Sequence, residues 1–113
     1  MAFVFSLLFA ALVQVPGGWS KQAVDDKAVV AAAEFALKAE AEALKKDGKI
    51  EKVVLVQVLA AETQVVQGLN YRLTLQVRLG EGDVKKIEAV VWERLWLKPE
   101  EQRLLTSWKA ANP

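Results

Sequence analysis

The feature that most constrains this chain is a single change of period near residue 48. Before it, "KAVVAAAEFALKAEAEALKK" at residues 27–46 is dense in strong helix formers and sets Val30, Ala33, Leu37, Ala41 and Leu44 three and four apart, on one stripe. Beyond it, apolar residues recur at every second position. Tyr71, Leu73, Leu75 and Val77 share one face of a strand, and Arg72, Thr74 and Gln76 the other. Asp25 or Asp26 supplies an N-cap, and Asp47 with Gly48 ends the helix. Strands are predicted in "KIEKVVLVQVLAAET", "LNYRLTLQVRL" and "VKKIEAVVWERLW", with "GEGD" at 80–83 as a hairpin turn. A turn around Pro99 leads to a last strand through Leu104, Leu105 and Trp108. Short connections make neighbouring strands antiparallel. The expected fold is α+β: one long N-terminal helix packed on a curved antiparallel sheet of four to five strands.

Composition closes off most chemistry. The 113 residues suffice for one modest core, and they include neither Cys nor His. Thiol nucleophiles, disulfides, imidazole bases and thiolate or imidazole metal sites are thereby excluded. The carboxylates are scattered and form no cluster of ligand spacing, so neither an enzyme nor a metal or other cofactor is expected. With 15 basic and 14 acidic residues, the net charge of +1 gives no field that would steer the chain to nucleic acid or an anionic bilayer. Lys45, Lys46 and Lys49 are placed to favour a helix C-terminus.

The first twenty residues read differently. No charged side chain precedes Lys21, and Ala2 to Val13 is almost wholly apolar, about the length of a signal-peptide core and too short to span a bilayer. Residues 1–14 are therefore expected to be a signal peptide, leaving 15–113 as a single secreted or periplasmic domain with no membrane anchor in its mature form. An extra strand or helix packed on the core, or a start codon assigned too far upstream, are the structural alternatives. "VPGGWS" at 15–20 follows as an extended segment, either a linker or an arm that lies against a partner. Trp19 could cover the helix start or extend that arm. Trp92 and Trp108 read as core or sheet-face residues.

"TQVVQG" at 63–68 is harder to place. A solvated hairpin tip ordinarily takes Asn, Asp, Ser, Gly or Pro, yet here Val65 and Val66 stand between Gln64 and Gln67. Two valines at a tip are costly unless something covers them.

A lone long helix followed by strands with "QVVQG" between two of them resembles the cystatins, most closely those of plants. Gln64, Val66 and Gly68 fit the family pattern Gln-x-Val-x-Gly. Gly17 and Gly18 lie before the helix, "AAEFAL" at 32–37 is similar to the plant-type helix signature Leu-Ala-Arg-Phe-Ala-Val, and "VWERLW" at 91–96 is similar to Val-Trp-x-x-Pro-Trp. The resemblance covers roughly residues 16–108. It implies a reversible, tight-binding inhibitor of papain-like cysteine proteases, not an enzyme, whose arm and two hairpins enter the protease cleft. The implied contacts are Val15, Pro16, Gly17 and Gly18; Gln64, Val65, Val66, Gln67 and Gly68; and Leu95 and Trp96. Leu95 stands where the family has Pro, which removes a fixed φ from the second loop. The resemblance also implies a monomer able to exchange its helix and first strands in a swapped dimer. A non-inhibitory cystatin-like binding or structural module is the alternative.

Overall fold

The computed structural model describes residues 18–49 and 52–111. The expected signal peptide and Val15, Pro16 and Gly17 lie outside these residues. Within them the order is β1 (Trp19–Gln22), α1 (Lys27–Lys46), β2 (Val53–Val66), β3 (Gly68–Leu79), β4 (Val84–Glu93), a short 3-10 turn (Pro99–Glu101) and β5 (Arg103–Ala110). The strands form one antiparallel sheet in sequence order, β1-β2-β3-β4-β5, packed on α1. The α+β expectation holds, with β1 as an added strand where the sequence predicts only an extended segment.

Local chemistry sets the helix limits. Asp26 caps the N-terminus, its Oδ2 accepting from the amides of Ala28 at 3.0 Å and Val29 at 3.3 Å. At the other end Gly48, with φ +79°, lets its own amide reach the Lys45 carbonyl and that of Lys49 reach Leu44, a closed C-terminal turn. The buried stripe is Val29, Ala32, Ala33, Ala36 and Leu37, whereas Val30, Ala41 and Leu44 of the expected line are only half-buried. The alanines decide this. They let the helix backbone approach the sheet closely, so the line of closest contact runs along them and the larger residues flank it.

The sheet supplies Ala61, Tyr71, Leu73, Leu75, Val77, Ile87, Ala89 and Val91 to the same core, with Leu105 and Trp108 packed against it. Trp108 is thus a core-facing residue, as expected. β2 does not alternate strictly, and its pairing explains why. Leu55 pairs with Val77 and Gln57 with Gln76; Val58 pairs with Leu75 and Ala60 with Thr74. Val56 and Leu59 are therefore extra residues in two bulges, and both are exposed. Each bulge bends the strand, so Leu55, Val58 and Ala61 face α1 at intervals of three while the sheet curves around the helix. β1 covers only Ala61 to Gln64, and the bulges lie along the part of β2 it leaves uncovered.

Candidate functional site

The β2/β3 hairpin is tighter than the sequence suggests. Val65 pairs with Leu69 and Val66 with Gly68, leaving Gln67 alone outside the ladder. The two valines are thus paired strand residues, held rigidly, yet 41% and 38% exposed. Gly68 makes the reversal possible. Its φ of +88° lies in the region L side chains rarely adopt. A Cβ there would also run into the Glu93 carbonyl oxygen and come within 3.3 Å of both Trp92 Nε1 and Trp96 Cζ3.

That close approach joins the first hairpin to the segment after β4. Trp92 Nε1 donates to the Gln67 carbonyl at 2.7 Å, tying the tip to the neighbouring strand. Since Val91 points to the core, Trp92 must stand on the outer face, the side-chain direction that strand alternation dictates. Its indole lies under the Arg94 guanidinium, 4.6 Å from the ring centroid. Leu95 and Trp96 follow at the apex of the second loop, 66% and 56% exposed. Val65, Gly68, Leu69, Glu93, Leu95 and Trp96 line an open apolar notch of about 280 Å³ between the two tips.

The loop that lacks proline has other restraints. The Arg94 amide donates to Gln102 O at 2.6 Å and Leu97 N to Arg94 O at 3.1 Å, closing a turn around Leu95 and Trp96. The Gln102 side chain reaches back from beyond Pro99, Nε2 donating to Leu97 O at 3.0 Å and more weakly to Leu95 O at 3.4 Å. Arg94 Nη2 donates to Glu101 O at 2.9 Å. Gln102 and Arg94 thus do from outside the loop what a proline ring would do within it.

Of the expected site residues, Gln64 to Gly68 and Leu95 with Trp96 converge at one end of the sheet. Gly18 is exposed and immediately precedes Trp19, which pairs with Gln64 at the base of the first hairpin. Val15, Pro16 and Gly17 lie outside the described residues. Trp19 neither covers the helix start nor continues as a free arm; it lies on the outer face, 4.2 Å from the Arg72 guanidinium. Trp92 stands on the sheet face, one of the two places expected for it, but its bond to the first tip is not foreseen from sequence, nor are the loop-holding bonds of Arg94 and Gln102. For Trp92 the alternation of β4 was an available signal; for Gln102, separated from Leu95 by a turn, there was none.

Beneath the tips, on the inner face, Glu93 is buried between two partners. Tyr71 Oη donates to Glu93 Oε1 at 3.5 Å, and Arg103 Nε lies 3.4 Å from Glu93 Oε2. Burial, then the neighbouring Glu93 charge, pushes the Tyr71 hydroxyl above its ordinary pKa. No group of His, Cys, Asp and Glu that could hold a metal occurs among the described residues.

Comparison with known proteins gives the same architecture a lineage. A family model described as aspartic acid proteinase inhibitor matches residues 21–111. Cysteine proteinase inhibitor 5 of Arabidopsis thaliana is 39% identical over 106 residues, 93% of this chain and 80% of the relative. L-cystatin of Tachypleus tridentatus is 27% identical over 116 residues, 86% of this chain and 85% of the relative. The salivary cystatin of the soft tick Ornithodoros moubata superposes with a TM-score of 0.69 at 24% identity, covering 87% of this chain and all of that one, a likeness of fold. On the plant relative's identity and coverage, and with the helix-on-sheet architecture in agreement, the chain belongs to the cystatin family.

Proposed function

We propose that this protein is a reversible, tight-binding inhibitor of papain-like cysteine proteases, which it blocks by inserting one end of its sheet into the substrate cleft. The observation that carries this reading is the pair of adjacent tips, the first bonded to β4 through Trp92 and the second held by Gln102. Val65, Val66, Leu95 and Trp96 are exposed apolar side chains gathered at one end, a cost in water that a complementary cleft would repay. Full burial of such a side chain is worth about 1.5–3 kcal/mol, and tips already fixed by Gly68, Trp92 and Gln102 lose little freedom on docking. Trp96 has the size and chemistry of an interface anchor. The cysteine proteinase inhibitor from Arabidopsis supports the choice of target.

The third contact is the segment Val15 to Gly18, entering beside the first hairpin. Residues 1–14 are a signal peptide in this reading, and the domain acts outside the cell as a monomer.

A second target class is favoured by one finding, the match to a family described as inhibitors of aspartic proteinases. One titration separates the readings. Slowed peptide cleavage by papain at nanomolar to micromolar inhibitor, with pepsin unaffected, is the expected result. Inhibition of pepsin alone would reassign the target, and inhibition of neither would leave a non-inhibitory binding module.

A further inference from the structure

We propose that Arg94 couples the two hairpin tips, which makes it a positioning residue for protease binding: its guanidinium stacks on the indole that holds the first tip and ties down the second loop. The proposal rests on the inhibitor reading and concerns how loops from two different hairpins keep one spacing before any protease arrives.

The ladder between β3 and β4 ends at Leu69 and Glu93, so Gln67 and Gly68 on one side and Leu95 and Trp96 on the other project beyond the last pair. Side chains take over there. Trp92 Nε1 donates to the Gln67 carbonyl at 2.7 Å, the short end of the range for an N–H···O bond. The Arg94 guanidinium carbon lies 4.6 Å from the centroid of the same indole. From the other side of that guanidinium, Nη2 donates to Glu101 O at 2.9 Å, and the Arg94 amide donates to Gln102 O at 2.6 Å. Gln102 Nε2 closes the chain on Leu97 O at 3.0 Å. The path runs unbroken from the first tip to the second loop, and Arg94 is its middle link.

A cation over an indole is attracted to the negative face of the ring, and it polarises the ring so that Nε1–H becomes a better donor. Removing the charge therefore weakens a bond that Arg94 does not itself make. Arg94 Nε is buried without a hydrogen-bond partner, so the side chain is held by the ring and the Glu101 carbonyl. An unpaired buried donor is a cost that those two contacts offset. Residues 64–68 and 94–97 contain one charged side chain, Arg94, so the two tips have a single cation of their own to share. A lysine can place charge over the ring but lacks the planar fork that stacks and donates to a carbonyl together. Tips held at one spacing lose less freedom on docking than tips that move separately, and the difference appears in the dissociation rate.

The test compares the wild-type chain with Arg94→Met, which keeps the stem and loses the charge, and with Arg94→Lys. In the free protein, the Trp92 indole N–H, assigned as the signal absent from Trp92→Phe, should exchange with water about three- to tenfold faster in Arg94→Met, the scale of one cation–π contact. Arg94→Lys restores charge over the ring and should return that rate most of the way to wild type. Against papain, dissociation of Arg94→Met should quicken by a similar factor. In a Trp92→Phe background, where the bond to Gln67 is already gone, Arg94→Met should quicken it clearly less, through the second loop alone. Unchanged indole exchange in Arg94→Met overturns the coupling whatever papain does. A lysine variant that exchanges as fast as the methionine one overturns the role of the charge. Equal acceleration of dissociation in both backgrounds overturns the reach to the first tip, since Arg94 would then act on the second loop only. Failure of wild type to inhibit papain while the indole responds as expected leaves a real coupling and refutes the inhibitor reading that gives it this purpose.

Discussion

Gly68 shows most directly how one residue's lack of a side chain shapes the site. Two separate constraints meet on it: a φ of +88° and a Cβ direction blocked by the Glu93 backbone. Gly68→Ala should therefore cost stability, about 1–3 kcal/mol on the scale of forced backbone strain, and also part the two tips. Urea unfolding checks the first effect and papain titration the second; a variant of native stability and native inhibition would contradict both. The Gln-x-Val-x-Gly pattern pointed to this glycine, but its contact with Trp92 and Trp96 was not legible, because those residues come from a strand and loop more than twenty positions on. Tyr71 was legible as core-facing from alternation alone, whereas its buried carboxylate partner was not. Its raised pKa has a definite sign. Burial and Glu93 favour the neutral phenol in the folded chain, so its contribution is fully present below the ordinary value of 10.0 and is lost as pH rises above that value. Wild type should lose stability in alkali beyond about pH 10, and Tyr71→Phe should lose less, measured by thermal melting across pH.

At the scale of elements, the change of period gave the helix and the four strands after it correctly because each pattern buries one face, but it gave no sign of β1 ahead of the helix. Ala33 and Leu37 of the expected stripe are buried, but Val30, Ala41 and Leu44 are not the deepest positions, since close packing selects Val29, Ala32 and Ala36 instead. β2 was harder still. Its inward residues Leu55, Val58 and Ala61 sit three apart, a spacing that makes sense only once two bulges are seen. The second loop carries the corresponding functional lesson. Leu95 in place of proline suggests a loose turn, but Gln102 Nε2 secures the loop through Leu97 O and Leu95 O. Gln102→Ala should accordingly weaken papain inhibition by about three- to tenfold, the loss of one or two partly exposed hydrogen bonds, with little change in melting temperature. Equal inhibition by the variant would show that the turn is held by its backbone bonds alone.

For the whole molecule, the hairpin that carries the proposed site is also the place where the fold could open. Gln67 alone separates β2 from β3, so straightening there would join Val53 through Leu79 into one continuous strand. A second copy could then supply β3 to β5 while receiving β1, α1 and β2 in return, every core contact being remade between chains. The monomer is favoured by the bond from Trp92 to the Gln67 carbonyl and by a residue at 68 that accepts positive φ. Gly68→Val opposes the tight reversal and favours extended backbone, so it shifts the balance toward exchange. Size-exclusion chromatography with light scattering at raised concentration should show wild type as a monomer and Gly68→Val with a growing dimer fraction. Because the exchanged form has no first tip, the isolated dimer should lose papain inhibition while keeping the helix and strand content of the monomer. A Gly68→Val monomer at all concentrations would show that the strain is relieved within one chain, and that the hairpin is not the hinge.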